Sequence, residues 1–364
     1  MTAAPLKLLI LGGTGFLGPE TIEPALAKGA EVTVFNRGKS NPELVGKKGW
    51  KIEEIRGDRD PKEGEGLKAL EEAVKSGRTW DAVIDNSAYV PRIARASAEL
   101  LKSATRQYIF VSTISVYPDI SGDIDEDSPV GAMSDPTDEK VGGATYGPLK
   151  ALCEQAVRDV FADRATIVRP GLLVGPGDPT DRFTYWPVRI ARGLKVILPV
   201  PKDQWKSYMQ WIDVRDLGDW MVRLAADGHA GTYNALGPDG TMTLNEFLFG
   251  IRATTSARVE WIPIDEKFLL EQQVTPWMGL PLWIPQEDGG VGGTRMKNAR
   301  AISVGLTFRP LANTAHDTAE WFAKYRPADF DFGQLGKRGP GAGLSREKEA
   351  AVIAAWAARP VPAP

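Results

Sequence analysis

The run KLLILGGTGFLG, Lys7–Gly18, decides how this chain folds. The apolar stretch KLLIL runs straight into a glycine turn, which reads as a first strand, and a helical pattern opens on the far side of that turn. Gly12, Gly15 and Gly18 stand three apart between the two elements. The first permits a tight turn, the second lets a pyrophosphate approach the backbone, and the third lets helix and strand pack closely. The helix start supplies N–H groups without intrahelical partners, which suit phosphate. In this context the turn reads as a dinucleotide site made by Gly12, Thr14, Gly15, Phe16, Leu17 and Gly18.

At 364 residues the chain can bury a substantial core, in one large domain or two modest ones. Hydrophobic residues at 43% and charged residues at 25% place it among ordinary globular proteins. A net charge of −3 gives no global footing for nucleic acid or an anionic membrane, so neither is an expected partner. Cys153 is the single cysteine, which excludes an internal disulfide and a multi-cysteine metal site. His229 and His316 fall away from every motif, so no metal and no histidine base is assigned. No apolar run reaches membrane-spanning length, and the N-terminus lacks the order of a signal peptide. The expected location is cytoplasmic.

Short apolar runs at Lys7–Gly12, Glu31–Asn36, Lys51–Gly57, Asp81–Asn86, Gln107–Thr113 and Ala165–Gly171 read as strands. Helical patterns lie between most of them, notably Gly66–Ser76, Pro91–Ser103 and Tyr146–Phe161. This alternation predicts an α/β fold, a Rossmann-type doubly wound parallel sheet covered on both faces, with ligands at the carboxyl ends of its strands. Beyond Gly171, Pro, Gly and Trp become frequent and short strands mix with helices. The expected organisation is a dinucleotide domain over 1–171, with parts of 209–240 returning to it, and a smaller α+β substrate lobe over 172–330. Residues 331–364 read as a linker, a helix capped by Ser345 and a proline-rich end, docked on the body or on a second subunit.

The end of the second strand bears on which dinucleotide is bound. An acidic residue there would take the adenosine 2′-hydroxyl and favour NAD. This chain has Asn36, Arg37, Lys39 and Ser40, a guanidinium and an ammonium with no carboxylate. Such groups suit a 2′-phosphate, with Arg37 the better anchor through its forked geometry, so NADP(H) is favoured and NAD(H) is the alternative.

The stretch ATYGPLKALCE, Ala144–Glu154, places Tyr146 and Lys150 four apart on one helical face. Pro148 is tolerated there only in a first turn, so the helix is expected to start near Tyr146. Together GGTGFLG, VSTISVY (Val111–Tyr117) and YGPLK resemble the short-chain dehydrogenase/reductase superfamily, most closely its extended and atypical branch of NAD-dependent epimerase/dehydratase type. RPGLLVGPGD (Arg169–Asp178) and QWIDVRDLGDW (Gln210–Trp220) resemble later landmarks of that branch, and the resemblance covers about residues 6–325. It implies that Tyr146 is the acid/base exchanging a proton with a carbonyl or hydroxyl as hydride moves. A phenol titrates near pH 10, so the implied role of Lys150 is to favour tyrosinate as well as to bind the nicotinamide ribose. Thr113 matches the residue that hydrogen-bonds the reacting oxygen, with Ser112 the weaker choice. Asp58 matches the adenine contact, Asn86, Ser87 and Ala88 the loop behind the cofactor, and Pro170 and Gly171 the loop over the nicotinamide. Asp181, Arg182, Tyr185 and Trp186 match substrate-side positions, an aromatic and charged set suited to a polar ring, although interiors also use Tyr and Trp for bulk; Tyr89 is either a substrate-side or a packing residue.

Two departures narrow the substrate. Met209 stands where nucleotide-sugar enzymes of this branch carry an arginine, which argues against a UDP- or dTDP-sugar. Ile114 and Ser115 follow Thr113 where the dehydratases have an Asp-Glu pair, which argues against dehydration; Pro118 also replaces a glycine of the branch. The expected function is that of an oxidoreductase or epimerase acting on a hydroxyl/carbonyl group of a polar, sugar-like small molecule. The resemblance also implies a homodimer through the long helices flanking the sheet. The alternatives are an RNA-binding relative of chloroplast stem-loop binding proteins, suggested by VFNRGK and GDRD, and an NADP(H) sensor without turnover. Net acidity and the intact Thr113, Tyr146 and Lys150 set disfavour the first.

Overall fold

Leu8, Leu9, Ile10 and Leu11 are all fully buried, although their side chains alternate between the two faces of a strand. A strand apolar on both faces can lie only inside a sheet that helices cover from both sides. That is the arrangement in the computed structural model, which describes residues 4–120, 122–286, 292–293, 295–336 and 339–360. The first half supplies β1 (Lys7–Leu11), α1 (Leu17–Ala27), β2 (Glu31–Asn36), α2 (Leu44–Lys48), β3 (Glu53–Arg56) and α3 (Lys68–Lys75). It continues with β4 (Trp80–Asp85), α4 (Pro91–Leu101), β5 (Thr105–Val111), α5 (Tyr146–Phe161) and β6 (Ala165–Pro170).

The seventh strand of the sheet is Gly231–Ala235, paired parallel with β6. From that edge the order runs Gly231–Ala235, β6, β5, β4, β1, β2, β3, and every pairing is parallel. β1 lies between β2 and β4, with Leu8 opposite Val32 on one side and Ala82 on the other. The chain leaves β1 and β4 in opposite directions, which opens a crevice at their carboxyl ends, the usual ligand position in such sheets.

The chain forms two compact units, and each is interrupted. The first comprises Met1–Leu172, Val214–Gly237 and Met296–Thr307; the second comprises Leu173–Asp213, Pro238–Arg295 and Phe308–Pro364. The helix Val214–Asp227 packs on α1 so closely that a Cβ on Gly218 would lie 1.9 Å from the Glu20 carbonyl oxygen. The segment Met296–Thr307 sits in the first unit, not in the second lobe where sequence texture placed it. Asn298 donates to the Leu236 carbonyl and the Trp220 indole to that of Val304, so these polar groups bind it to the sheet edge.

Within the second unit, Leu194–Val200 and Val259–Asp265 pair in parallel, and Phe183, Tyr185, Trp186 and Phe332 are buried together with the short helices. The helix Arg346–Ala358, capped by the Ser345 hydroxyl, docks within the second unit through Arg189 Nε donating to Glu349 Oε2 (2.6 Å) and Lys348 donating to the Gln272 carbonyl (2.7 Å). Of the proline-rich end, 361–364 lies outside the described residues. Among the described residues no helix is long and apolar enough to cross a membrane.

Candidate active site

Gly12 leaves β1 with φ +89°, a conformation that disfavours a side chain, and its N–H donates to the Phe35 carbonyl (3.0 Å). A Cβ there would lie 2.7 Å from Ser87 Oγ, and one on Gly18 would lie 2.3 Å from the Gly13 carbonyl oxygen. Gly15 is different: a Cβ on it meets no atom within 4 Å. The outer side of the turn is therefore open at the residue expected to admit a pyrophosphate. Phe16 begins α1 without a side-chain cap, and Leu17 is buried beneath it. Asn41 steadies the turn by donating to the Thr14 carbonyl (3.0 Å), a contact its sequence position does not suggest.

At the end of β2, Asn36 Oδ1 accepts from Gly38 N (2.9 Å) and from Arg56 Nη1, while its buried Nδ2 has no hydrogen-bond partner. Arg37 is half exposed, with Nη1 3.9 Å from Asp58 Oδ2, and Lys39 and Ser40 are exposed nearby in sequence. Arg56, one strand over, thus adds a second guanidinium beside the same turn. Asp58 Oδ1 accepts from Asp60 N (3.0 Å), which shapes the loop after β3.

Between the two aspartates of that loop stands Arg59, fully buried. Its guanidinium grips Asp85 at the end of β4 with both terminal nitrogens, Nη2 at 2.7 Å, and also donates to Ser87 and Ser97 Oγ (3.2 Å each). Tyr108 donates to the same carboxylate (2.7 Å). Ser87 in turn donates through Oγ to the Leu11 carbonyl (3.3 Å) and through N to Asp85 (3.1 Å). The loops after β1, β3 and β4 are therefore one bonded unit. Beside them both amide atoms of Asn86 are buried and have no hydrogen-bond partner among the described residues. Buried polar atoms without partners are uncommon in folded chains, and here they lie beside the open glycine turn. Residues of this kind in this place fit a nicotinamide dinucleotide.

The catalytic candidates come from β5 and α5. The helix begins at Tyr146, with Pro148 in its first turn. Gly147 makes that start possible. A Cβ there would lie 1.9 Å from the Ser115 carbonyl oxygen, so only glycine lets α5 rest on the turn Ile114–Val116. Thr113 Oγ1 caps that turn by accepting from Ser115 N (3.1 Å) and lies 3.2 Å from Ser115 Oγ. Ser112 donates to Glu154 Oε1, behind the helix, so of the two hydroxyls Thr113 is the one beside the turn that Tyr146 rests on. Arg169 holds the same Glu154 with Nε (2.9 Å) and Nη2 (2.6 Å), fixing α5 to β6.

Lys150 is buried, and its ammonium donates to the carbonyls of Ala88 and Val111, each at 2.7 Å. Burial pushes its pKa down to about 8. It lies 4.2 Å from the Phe110 ring centre and 5.2 Å from that of Tyr89, and the Tyr89 and Tyr146 rings are 6.2 Å apart. Tyr89, 46% exposed, thus covers Tyr146 and Lys150 on one side. Pro170 and Gly171 are buried, with Gly171 N donating to the Ala235 carbonyl (3.1 Å).

The first unit therefore brings together the glycine turn, Asn36, Arg37, Asp58, Asn86–Tyr89, Thr113, Tyr146 and Lys150. The remaining candidates are in the second unit. Asp181 adopts φ +58°, lies 3.5 Å from Arg326 and is pushed up to about pKa 6 by burial. Arg182 stacks over the Trp277 ring at 5.5 Å. Tyr185 and Trp186 have almost no exposed surface: Tyr185 meets Phe332 edge-on, and the Trp186 indole donates to the Pro281 carbonyl (2.6 Å). Both are packing residues here. Bulk explains their position without a ligand.

The family model for the NAD dependent epimerase/dehydratase family matches residues 8–235. The bovine (Bos taurus) protein named epimerase family protein SDR39U1 is 25% identical over 276 residues, covering 71% of this chain and 83% of its own. Among solved structures, the Bordetella bronchiseptica enzyme WbmG, in complex with NAD, superposes with a TM-score of 0.62 at 16% identity over 89% of this chain and 96% of its own. The Stenotrophomonas maltophila UDP-glucose-4-epimerase, bound to NAD and formylated UDP-arabinopyranose, gives 0.61 at 19% identity over 88% and 98%. At these identities the superpositions speak for the shared fold.

Proposed function

This chain belongs to the NAD dependent epimerase/dehydratase family, and from that premise we propose that it catalyses hydride transfer at a hydroxyl/carbonyl carbon of a polar small molecule, as a reductase or an epimerase, with NADP(H) preferred. The observation that carries this reading is the seat of Lys150: its ammonium is held by the Ala88 carbonyl in the loop after β4 and by the Val111 carbonyl at the end of β5. Asn86, the Gly15 turn and Arg37 would hold the dinucleotide, whose nicotinamide supplies or accepts the hydride when bound. Tyr146 exchanges a proton with the substrate oxygen through its phenol. Thr113 Oγ1 hydrogen-bonds the same oxygen and keeps it in line. The Lys150 charge, still mostly present at neutral pH with a pKa of about 8, favours the tyrosinate that the proton transfer needs. Within the first unit, Tyr89 is the proposed substrate contact. A nucleotide sugar is not favoured, because buried Met209 stands at the position where an arginine would meet its diphosphate.

Arg37 and Arg56 support the preference for a 2′-phosphate, since two guanidiniums flank the turn after β2. Titration of NADPH and NADH against wild type and Arg37→Ala checks it. NADPH affinity should fall about tenfold or more and NADH affinity less than threefold; equal losses would remove the 2′-phosphate role. Tyr146→Phe should abolish turnover of any substrate found in a panel of polar carbonyl compounds while leaving nucleotide affinity within a few-fold. Full activity in that variant would refute the proton-transfer role. The nucleotide released when the purified protein is denatured separates the two reactions: a retained oxidised cofactor fits an epimerase, and an exchangeable one fits a reductase.

A further inference from the structure

Between the turn Ile114–Val116 and α5 the chain makes a long excursion, of which 122–145 runs from the edge strand Gly231–Ala235 to the head of α4, beyond the central strand β4. Near its start, Glu126 Oε1 accepts from the backbone N of Asn234 (2.9 Å), in the edge strand Gly231–Ala235. In its middle, Gly131 N donates to the Val116 carbonyl (2.7 Å), beside the helix start. Near its end, Glu139 is gripped by Arg92 at the head of α4, Nε to Oε1 at 2.8 Å and Nη2 to Oε2 at 2.9 Å. The same guanidinium grips Asp60 in the loop after β3, Nη1 to Oδ1 at 2.7 Å and Nη2 to Oδ2 at 3.0 Å. α4 follows β4, the central strand of the sheet, and Arg59, next to Asp60, grips Asp85 at the end of that strand. The excursion is therefore a strap from the edge strand Gly231–Ala235 to the carboxyl end of the central strand, anchored at both ends.

Near its α5 end the strap is held by Arg92, and both partners of that residue lead into the site. Asp60 N donates to Asp58 Oδ1, and the other Asp58 oxygen faces Arg37 at 3.9 Å. Past Glu139 the strap enters the turn in which Gly142 O accepts the N–H of Tyr146 (2.8 Å). One arginine thus joins the adenosine end of the cofactor position to the residue run that delivers the catalytic phenol. A loop fastened this way costs little to hold shut and little to open, because each half of the clasp is a partly exposed, bidentate ion pair.

We infer that Arg92, Asp60 and Glu139 form a clasp that sets how long the dinucleotide stays bound, making Arg92 a positioning residue for cofactor retention; this rests on the cofactor site proposed above. Retention of this kind suits a reaction cycle in which one nucleotide is oxidised and reduced in place. The test is the dissociation rate of NADPH, and of NADH, from the full-length protein, read by stopped-flow displacement of nicotinamide fluorescence. Glu139→Gln should raise the off-rate about three- to tenfold and Arg92→Ala about tenfold or more, with association rates changed less than threefold. In wild type, 0.5 M NaCl should speed release, and in Glu139→Gln it should do so less, because one of the clasp's two screened ion pairs is already gone. Off-rates within twofold of wild type in both variants, with normal nucleotide binding, would overturn the clasp and leave the cofactor site standing. A wild type that binds neither nucleotide would overturn both. Lower melting temperatures with unchanged off-rates would make Arg92 a structural residue only, and would equally overturn the inference.

Discussion

Lys150 joins stability to catalysis through a single buried amine. Its folded pKa of about 8 lies below the ~10.4 of an unfolded lysine, so between those values the unfolded chain binds more protons. Stability contributed at this site therefore rises as pH climbs from about 8 towards 10, and chemical denaturation midpoints of wild type should show the rise relative to Lys150→Met. Parallel pH profiles for the two proteins would contradict the burial of a charged amine. Turnover should move the other way on the alkaline side, because a neutral amine no longer favours tyrosinate. The residues of this set were legible in sequence because Tyr146 and Lys150 are local, one helical turn apart, with Thr113 two residues past the end of β5. Arg59 was not. Flanked by Asp58 and Asp60 it looks solvated, and only its pairing with Asp85 across 26 positions buries it. Arg56 and Asn41 were hidden for the same reason, since their roles depend on which strands become neighbours.

At the scale of elements, the start of α5 follows from Pro148, and the helix begins at Tyr146 as the first-turn argument requires. The reason for Gly147 was invisible, because its neighbour is the Ser115 carbonyl, 32 residues earlier on another element. Gly147→Ala must push the helix start off the turn Ile114–Val116. It should cost about 1–3 kcal/mol of stability by denaturant titration and lower kcat more than it changes nucleotide affinity. A variant with wild-type kcat would mean that the close seat does not position Tyr146. The second unit was less legible than the first. Its Tyr185 and Trp186 read as a pocket beside charges, yet they serve its core, because aromatic residues satisfy both uses and sequence does not say which side chains face one another.

For the whole molecule, the first unit is assembled from three separate segments, and no change of composition near 296 marks the last return. A fragment of residues 1–172 lacks both the edge strand Gly231–Ala235 and the helix Val214–Asp227 that covers α1. It should fail to unfold cooperatively by circular dichroism and should not bind nucleotide; a fragment that does both would show that the returning segments are dispensable. The most direct test of the account lies at the one glycine of the turn with open space beside it. Gly15→Asp leaves every packed contact in place, since a Cβ meets nothing within 4 Å, while putting a carboxylate where the pyrophosphate must approach. Calorimetric titration with NADPH should show binding to wild type and none to Gly15→Asp at an unchanged melting temperature. Equal binding by the two proteins, or no binding of NADPH or NADH by wild type, would contradict the account.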